Sequence, residues 1–426
     1  MSSFEYQNGL LHCEQFPLDA LAKAFGTPTF VYAAGSIGAA YQAITDAFTG
    51  IDTLVCYAVK ANANLSVLKC LKELGAGFDI VSGGELARAL SVGADPNKIV
   101  FSGVGKQDDE IKAALAAGIH CFNVESEAEL YHIATIAEAE GQLAPISLRV
   151  NPDVDPKTHP YISTGLSTSK FGIPMADALG LYQRAKTLKG LAIKGLDCHI
   201  GSQITSIKPY LDAIDKMFAL IDSLAAEGIA ITHLDIGGGM GVRYQDEPDF
   251  PLRELSAALE PRLKARQLTL ILEPGRYLVA NAGVLLTKVL YTKVNGEKQF
   301  AIVDAAMNDL LRPALYGAAQ GIQPVKKPQK AATTPIDIVG PICETGDFLA
   351  KDCAVDLAAT DLVAIASAGA YGMSMSSNYN SRGRAAEVFV QGDQARVVRE
   401  RESIDAQLAP ELAGLNAAFT HSAPPS

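Results

Sequence analysis

Lys60 stands in Tyr57-Ala58-Val59-Lys60-Ala61-Asn62, directly after the apolar run 53–58. A lysine delivered to the carboxyl end of a β-strand can enter a pocket. Loss of solvent there disfavours the ammonium and pulls its pKa toward neutrality, leaving an amine able to form a Schiff base. Most strand-end lysines are solvated loop residues, so Lys60 gains weight only from its company. That company is Asp79, His199-Ile200-Gly201-Ser202, Gly237-Gly238-Gly239 and Glu273-Pro274-Gly275-Arg276. Three successive glycines let backbone N–H groups approach an anion such as phosphate, although most glycine-rich turns bind nothing. A carboxylate at Glu273 can keep a pyridinium nitrogen protonated, or it can be an ordinary loop salt-bridge residue. His199 reads equally as a hydrogen-bonded structural residue or as a ring stacked on a planar cofactor.

These groups act together only if one scaffold gathers them. Between about residues 50 and 275, short β-type runs alternate with stretches of helical spacing, the pattern of βα units around a parallel sheet. The runs are 53–58, 78–81, 99–102, 120–124, 146–150, 193–199, 233–236 and 269–273, with helical patterns at 66–74, 84–92, 108–117, 126–139 and 210–227. Eight repeats predict a closed (β/α)₈ barrel, whose strand-end loops converge on one face. An open doubly wound sheet would call for a Gly-x-Gly-x-x-Gly turn after an early strand, and none occurs. Gly103-Val104-Gly105-Lys106 lacks the upstream glycine of a phosphate loop and has Gln107 where a Ser or Thr should stand.

Beyond about 280, apolar segments at 284–294, 300–303, 336–339, 362–366 and 387–390 are separated by Gly, Pro and Asn, which predicts an all-β second domain. The expected division is a barrel over 28–280, a β domain from 1–27 with 281–420, and a disordered tail at 421–426. Residues 323–335 read as an exposed loop. The 151–192 connection, with Lys170-Phe171-Gly172, resists assignment.

The formal charge of −11 and pI near 5.2 argue against a nucleic-acid surface. No apolar stretch approaches the ~20 residues that span a bilayer, and the first residues lack a signal-peptide pattern. A cytoplasmic protein is expected. Seven cysteines without a Cys-x-x-Cys pair speak against a disulfide framework and a structural zinc site. Cys343, beside Glu344-Thr345-Gly346-Asp347, has polar neighbours unlike the others.

The motifs around Lys60, Asp79 (Phe78-Asp79-Ile80-Val81-Ser82-Gly83-Gly84-Glu85-Leu86), His199, the triple glycine and Glu273, in this order, resemble the barrel-fold pyridoxal-phosphate decarboxylases. The likeness runs from about Gly26 to Arg384. Leu311-Arg312-Pro313-Ala314-Leu315-Tyr316, Cys343-Glu344-Thr345-Gly346-Asp347 and Gly369-Ala370-Tyr371-Gly372 are similar to the diaminopimelate-type branch. The resemblance implies pyridoxal 5′-phosphate carried by Lys60, with Asp79, His199, Ser202, Gly239, Glu273, Gly275, Arg276 and Tyr371 around it. It implies that Arg276, Arg312, Tyr316, Glu344 and Tyr371 bind substrate and that Cys343 reprotonates the product. Cys343 and Glu344 would come from the second subunit of a homodimer with shared active sites. The implied reaction is decarboxylation of meso-2,6-diaminopimelate to L-lysine, the last step of lysine biosynthesis. A side arm ending in both an ammonium and a carboxylate calls for both a negative and a positive partner, here Glu344 and Arg312. The nearest alternative is an ornithine, arginine or carboxylated-polyamine decarboxylase of the same fold. Less favoured are an alanine racemase, whose tyrosine acid/base motif is missing, and a single-domain cofactor carrier, which would lack the β domain.

Overall fold

The computed structural model describes residues 3–155, 169–329, 332 and 334–415. The tail expected at 421–426 lies outside the described residues. Eight parallel strands form the barrel: Thr53–Ala58, Gly77–Ile80, Ile99–Phe101, Cys121–Val124, Ala144–Asn151, Leu191–Asp197, His233–Asp235 and Thr269–Leu272. They pair in chain order, and the eighth returns to the first with Leu270 opposite Thr53, so the sheet closes. Every expected run falls on one of these strands.

Helices follow the strands, and several of the earlier ones start on a side-chain cap. Asn64 accepts from the Ser66 N–H before helix Leu65–Glu73, Ser82 from Glu85 before Gly83–Ser91, and Ser126 from Glu129 before Glu127–Ala139. The connection that resisted assignment contains helix Met175–Ala185, and its short strand Ile173–Pro174 extends the sheet beside Val150 and Asn151.

The second sheet is built mainly from the C-terminal part, with strand Gly283–Asn295 near its centre. Strand Thr29–Ala33, expected inside the barrel span, pairs there instead, antiparallel to Gly283–Asn295 and parallel to Ala386–Gln391. Its five residues are all buried, an interior sheet position that its local sequence does not disclose. The chain then enters helix Ala34–Ala47, whose buried Ile37, Tyr41 and Ile44 join the barrel's core. Residues 3–25 form a three-stranded meander and a helix, and their Phe4, Leu11, Leu18 and Leu21 share a core with Val284, Leu286 and Val388 of the second sheet. Ile322–Pro324, partly inside the stretch read as an exposed loop, is a strand paired with Leu362–Ile365.

Candidate active site

Lys60 follows the first barrel strand in the single turn Val59–Ala61, and its Nζ lies 2.6 Å from Asp79 Oδ2 in the second strand. Asp79 is fully buried, and its other oxygen, Oδ1, has no partner. Burial pulls the Lys60 ammonium down, but the carboxylates of Asp79 and then Glu273 outweigh it and raise its pKa. Burial is the largest single influence, and only the summed acids around the amine overturn it. This corrects the expectation of a depressed lysine: the strand-end pocket is acidic rather than apolar.

Glu273 follows the eighth strand at the same end. Its Oε1 accepts from Ser102 Oγ and Asn123 Nδ2, both at 3.3 Å. Burial, then the charge of Asp79, pushes its pKa up to about 7, with Lys60 and Arg149 opposing. Asp197 and Asp235 close the sixth and seventh strands, and one oxygen of each lies within 4.8 Å of Glu273. Both are also raised, first by burial and then by Glu273. Arg149 is the buried countercharge: Nη1 is 3.0 Å from Glu125 Oε1, Nε is 4.0 Å from Asp197, and the guanidinium sits 4.9 Å above the Phe171 ring. Gly172 N–H donates to Glu125, which ties Lys170-Phe171-Gly172 to this network.

The triple glycine is sterically required. A Cβ on Gly238 would collide with the Glu273 carbonyl oxygen, and one on Gly239, at φ +91°, with that of Gly201. Gly238 N–H donates to His199 Nδ1 at 3.2 Å, which makes that nitrogen the acceptor and places the other ring N–H elsewhere. Burial, followed by Arg149 and Lys60, holds His199 well below its ordinary pKa, so its ring is neutral. Ser202 Oγ accepts from Arg276 Nη2 at 3.1 Å, and Gly275 caps the short turn that Arg276 begins.

The second domain reaches this mouth through 369–374. Tyr371 N–H donates to Ala61 O at 2.8 Å, Ser374 Oγ to the same oxygen at 3.2 Å, and Asn62 Nδ2 to Gly369 O at 3.0 Å. Tyr371 takes φ +56°, costly for a bulky residue and tolerated where surrounding contacts hold it. Its ring lies 4.8 Å from the Arg276 guanidinium. Arg312 opens helix Arg312–Tyr316 and is buried 4.3 Å above the Tyr244 ring, while Tyr244 Oη accepts from Arg276 Nη1 at 2.6 Å. Nε and Nη1 of Arg312 have no hydrogen-bond partner among the described residues. Tyr316 lies near enough to both arginines to favour their charged forms.

Cys343 and Glu344 are the exception. Both are exposed on a turn held from beneath by Asp347, which accepts from Met307 N–H and Ile342 N–H. Cys343 N–H donates to Asn380 Oδ1 at 2.8 Å and Glu344 bonds Tyr379; among the described residues neither contacts the barrel-mouth groups within one chain. A cavity of about 550 Å³ opens beside Lys60, lined by Glu85, Arg88, Arg384 and Glu387 among others.

Tyr244, Arg149, Asp197 and Asp235 escaped the sequence reading. The two aspartates carried a usable signal, an acid closing an apolar run, whereas Tyr244 and Arg149 look like ordinary loop and strand residues until the fold places them.

Residues 34–280 match the family described as pyridoxal-dependent decarboxylase, pyridoxal binding domain. The chain is 56% identical over 411 residues to diaminopimelate decarboxylase of Pseudomonas aeruginosa, covering 96% of this chain and 99% of the relative. The enzyme of that name from Neisseria meningitidis serogroup B is 54% identical over 96% of this chain and 98% of its own. The crystal structure of diaminopimelate decarboxylase from Helicobacter pylori complexed with L-lysine superposes with a TM-score of 0.90 at 43% identity, covering 93% of this chain and all of that one. The chain belongs to the pyridoxal-dependent decarboxylases, in the branch formed by the diaminopimelate decarboxylases. Its cofactor is pyridoxal phosphate, and the residues present fit that group. A glycine cradle stands beside Ser202, and an amine and a buried carboxylate come from the adjoining first and eighth strands at the same end of the barrel.

Proposed function

We propose that this protein removes CO₂ from the D-centre of meso-2,6-diaminopimelate to give L-lysine. The observation that carries the choice of substrate is the buried Arg312, whose unpartnered Nε and Nη1 stand beside Tyr244 and near Arg276. A buried guanidinium without an acceptor is costly unless an anion completes it, and a distal carboxylate is such an anion. Ornithine and arginine carry no such group.

Pyridoxal phosphate supplies an electron sink that stabilises the carbanion left by decarboxylation. Lys60 Nζ would hold the cofactor's carbonyl carbon, and Glu273 its pyridine nitrogen, with Asp197 and Asp235 keeping that end of the site acidic. Ser202, Gly239 and the turn at Gly275 and Arg276 would hold the phosphate, and neutral His199 one ring face. Tyr371, fastened to Ala61, closes the mouth on the β-domain side. The Cys343 Sγ–H of a partner subunit would donate the proton that completes lysine, and that subunit's Glu344 turn would meet the distal ammonium. Exposure of the Cys343 turn in a single chain supports a two-fold homodimer with shared sites. No helix among the described residues is long and apolar enough to cross a membrane. Seven free cysteines support a reducing compartment, and the protein works in the cytoplasm.

The test is CO₂ release from meso-diaminopimelate against ornithine, arginine, lysine and carboxylated polyamines. Arg312→Met should lower kcat/KM for meso-diaminopimelate by roughly 10–100-fold, the equivalent of about 1.5–3 kcal/mol for a hydrogen bond to a charged group. Preference for ornithine, or an unchanged kcat/KM in Arg312→Met, would refute the assignment.

A further inference from the structure

At the amino ends of the strands, away from the site, Cys121 opens the fourth strand with His120 just before it, and His233 opens the seventh. One ligand atom of each of the three lies within 4.8 Å of the other two. Cys121 Sγ is 3.8 Å from His233 Nε2, and the two imidazole centroids are 5.1 Å apart. Nothing in the decarboxylation uses these groups.

A thiol hydrogen-bonded to an imidazole would explain Cys121 and His233, and Cys121 has a second acceptor in Asn123 Oδ1 at 3.5 Å. It does not explain His120. His120 Nδ1 lies 3.0 Å from the carbonyl oxygen of Asn97. A carbonyl only accepts, so Nδ1 carries the proton and Nε2 presents a lone pair. That Nε2 is buried and has no hydrogen-bond partner among the described residues. An imidazole oriented through one N–H onto a backbone carbonyl, with its other nitrogen open, is the arrangement of a metal-ligating histidine.

We propose that His120 Nε2, Cys121 Sγ and His233 Nε2 form a site on the barrel floor for a borderline-soft divalent cation of the zinc type. Zn–N bonds of about 2.0–2.1 Å and Zn–S bonds of about 2.3 Å give tetrahedral edges of roughly 3.3–3.8 Å. The Cys121–His233 separation already fits, and His120, just outside its strand, closes the remainder. On binding, the Cys121 S–H bond breaks, the thiolate takes the metal and the proton leaves to solvent. Water completes the coordination from the partly exposed His120 side. The ion would clamp the fourth strand to the seventh, which are not neighbours in the sheet. Cysteine spacing argued against zinc because it registers only ligands close in sequence. Lys194, whose charge lowers both imidazoles, opposes a cation here.

The test uses the holoenzyme, stripped of adventitious metal by a chelator and titrated with Zn²⁺, and with Co²⁺ for its visible d–d bands. One Zn²⁺ per chain is expected, with tetrahedral Co²⁺ bands and a raised unfolding midpoint. His120→Ala, a change at a partly exposed residue that leaves decarboxylation intact, should weaken Zn²⁺ binding at least about tenfold, as should Cys121→Ser. Lys194→Met should tighten it. Cys343→Ser should leave it unchanged, since that exposed thiol is the obvious decoy. The proposal is overturned if the wild type takes up no Zn²⁺, if His120→Ala and Cys121→Ser bind as the wild type does, or if only Cys343→Ser loses the ion.

Discussion

Lys60 is governed by its neighbouring acids more than by its burial, and the same crowd acts on Glu85, whose pKa is pushed up to about 7. Burial is the main cause for Glu85; the Val81 N–H that donates to its Oε2 at 2.8 Å opposes it, as do Lys60 and Arg88. The folded state therefore binds this proton more tightly than the unfolded chain, whose ordinary value is 4.5. Glu85 contributes stability that is fully present below about 4.5 and is lost as pH rises through about 7. Glu85→Gln keeps an acceptor for Val81 and cannot ionise. The variant should gain stability over wild type on going from pH 5 to pH 8, read as the difference in unfolding midpoints; an equal difference at both pH values would contradict the shift. At this scale the legible residues were those that gained weight from the motifs around them, such as Lys60 and Glu273. Arg149 and Tyr244 were not, because what distinguishes them is a three-dimensional neighbour: Glu125 and Phe171 for one, Arg276 and Arg312 for the other.

Among the elements, strand ends position nearly everything, and the glycine turn after the seventh strand is the tightest of them. Gly238 leaves no room between its own Cα and the Glu273 carbonyl, and both partners are backbone. Gly238→Ala should therefore push the seventh-strand turn away from the eighth, costing about 2–3 kcal/mol of stability and loosening the phosphate cradle and the Glu273 carboxylate together. The expected readout is a lowered unfolding midpoint with weaker pyridoxal-phosphate retention on dialysis; a variant with wild-type retention would contradict the role given to this turn. The barrel strands were legible because parallel strands buried on both faces read as continuous apolar runs. Thr29–Ala33 reads the same way, and nothing local says that it joins Gly283–Asn295, whose register is set some 250 residues later. The 369–374 segment has no periodicity of its own, yet it spans from the second sheet to the Lys60 turn through three hydrogen bonds.

The whole molecule presents an imbalance: the barrel mouth of one chain gathers a lysine, an acid cluster and three buried arginines, while its Cys343-Glu344 turn faces outward. Asp347 and Asn380 hold that turn in shape without any use for it inside the chain. The proposed two-fold dimer would resolve this, because an isologous contact that brings one turn to the partner's mouth necessarily brings the second to the first. Mixing Lys60→Ala with Cys343→Ala protein decides it. Each is impaired alone, the second by roughly 10²–10⁴-fold for loss of a general acid. If subunits reassort freely, half the dimers are mixed, and in each mixed dimer one site combines an intact Lys60 with an intact Cys343 from the other chain. Activity should then recover to about a quarter of wild type at equal proportions, a consequence of two-fold symmetry alone. If Cys343 instead served its own chain, every mixed site would lack one group or the other. Mixing would then restore nothing, although size-exclusion profiles would still report a dimer.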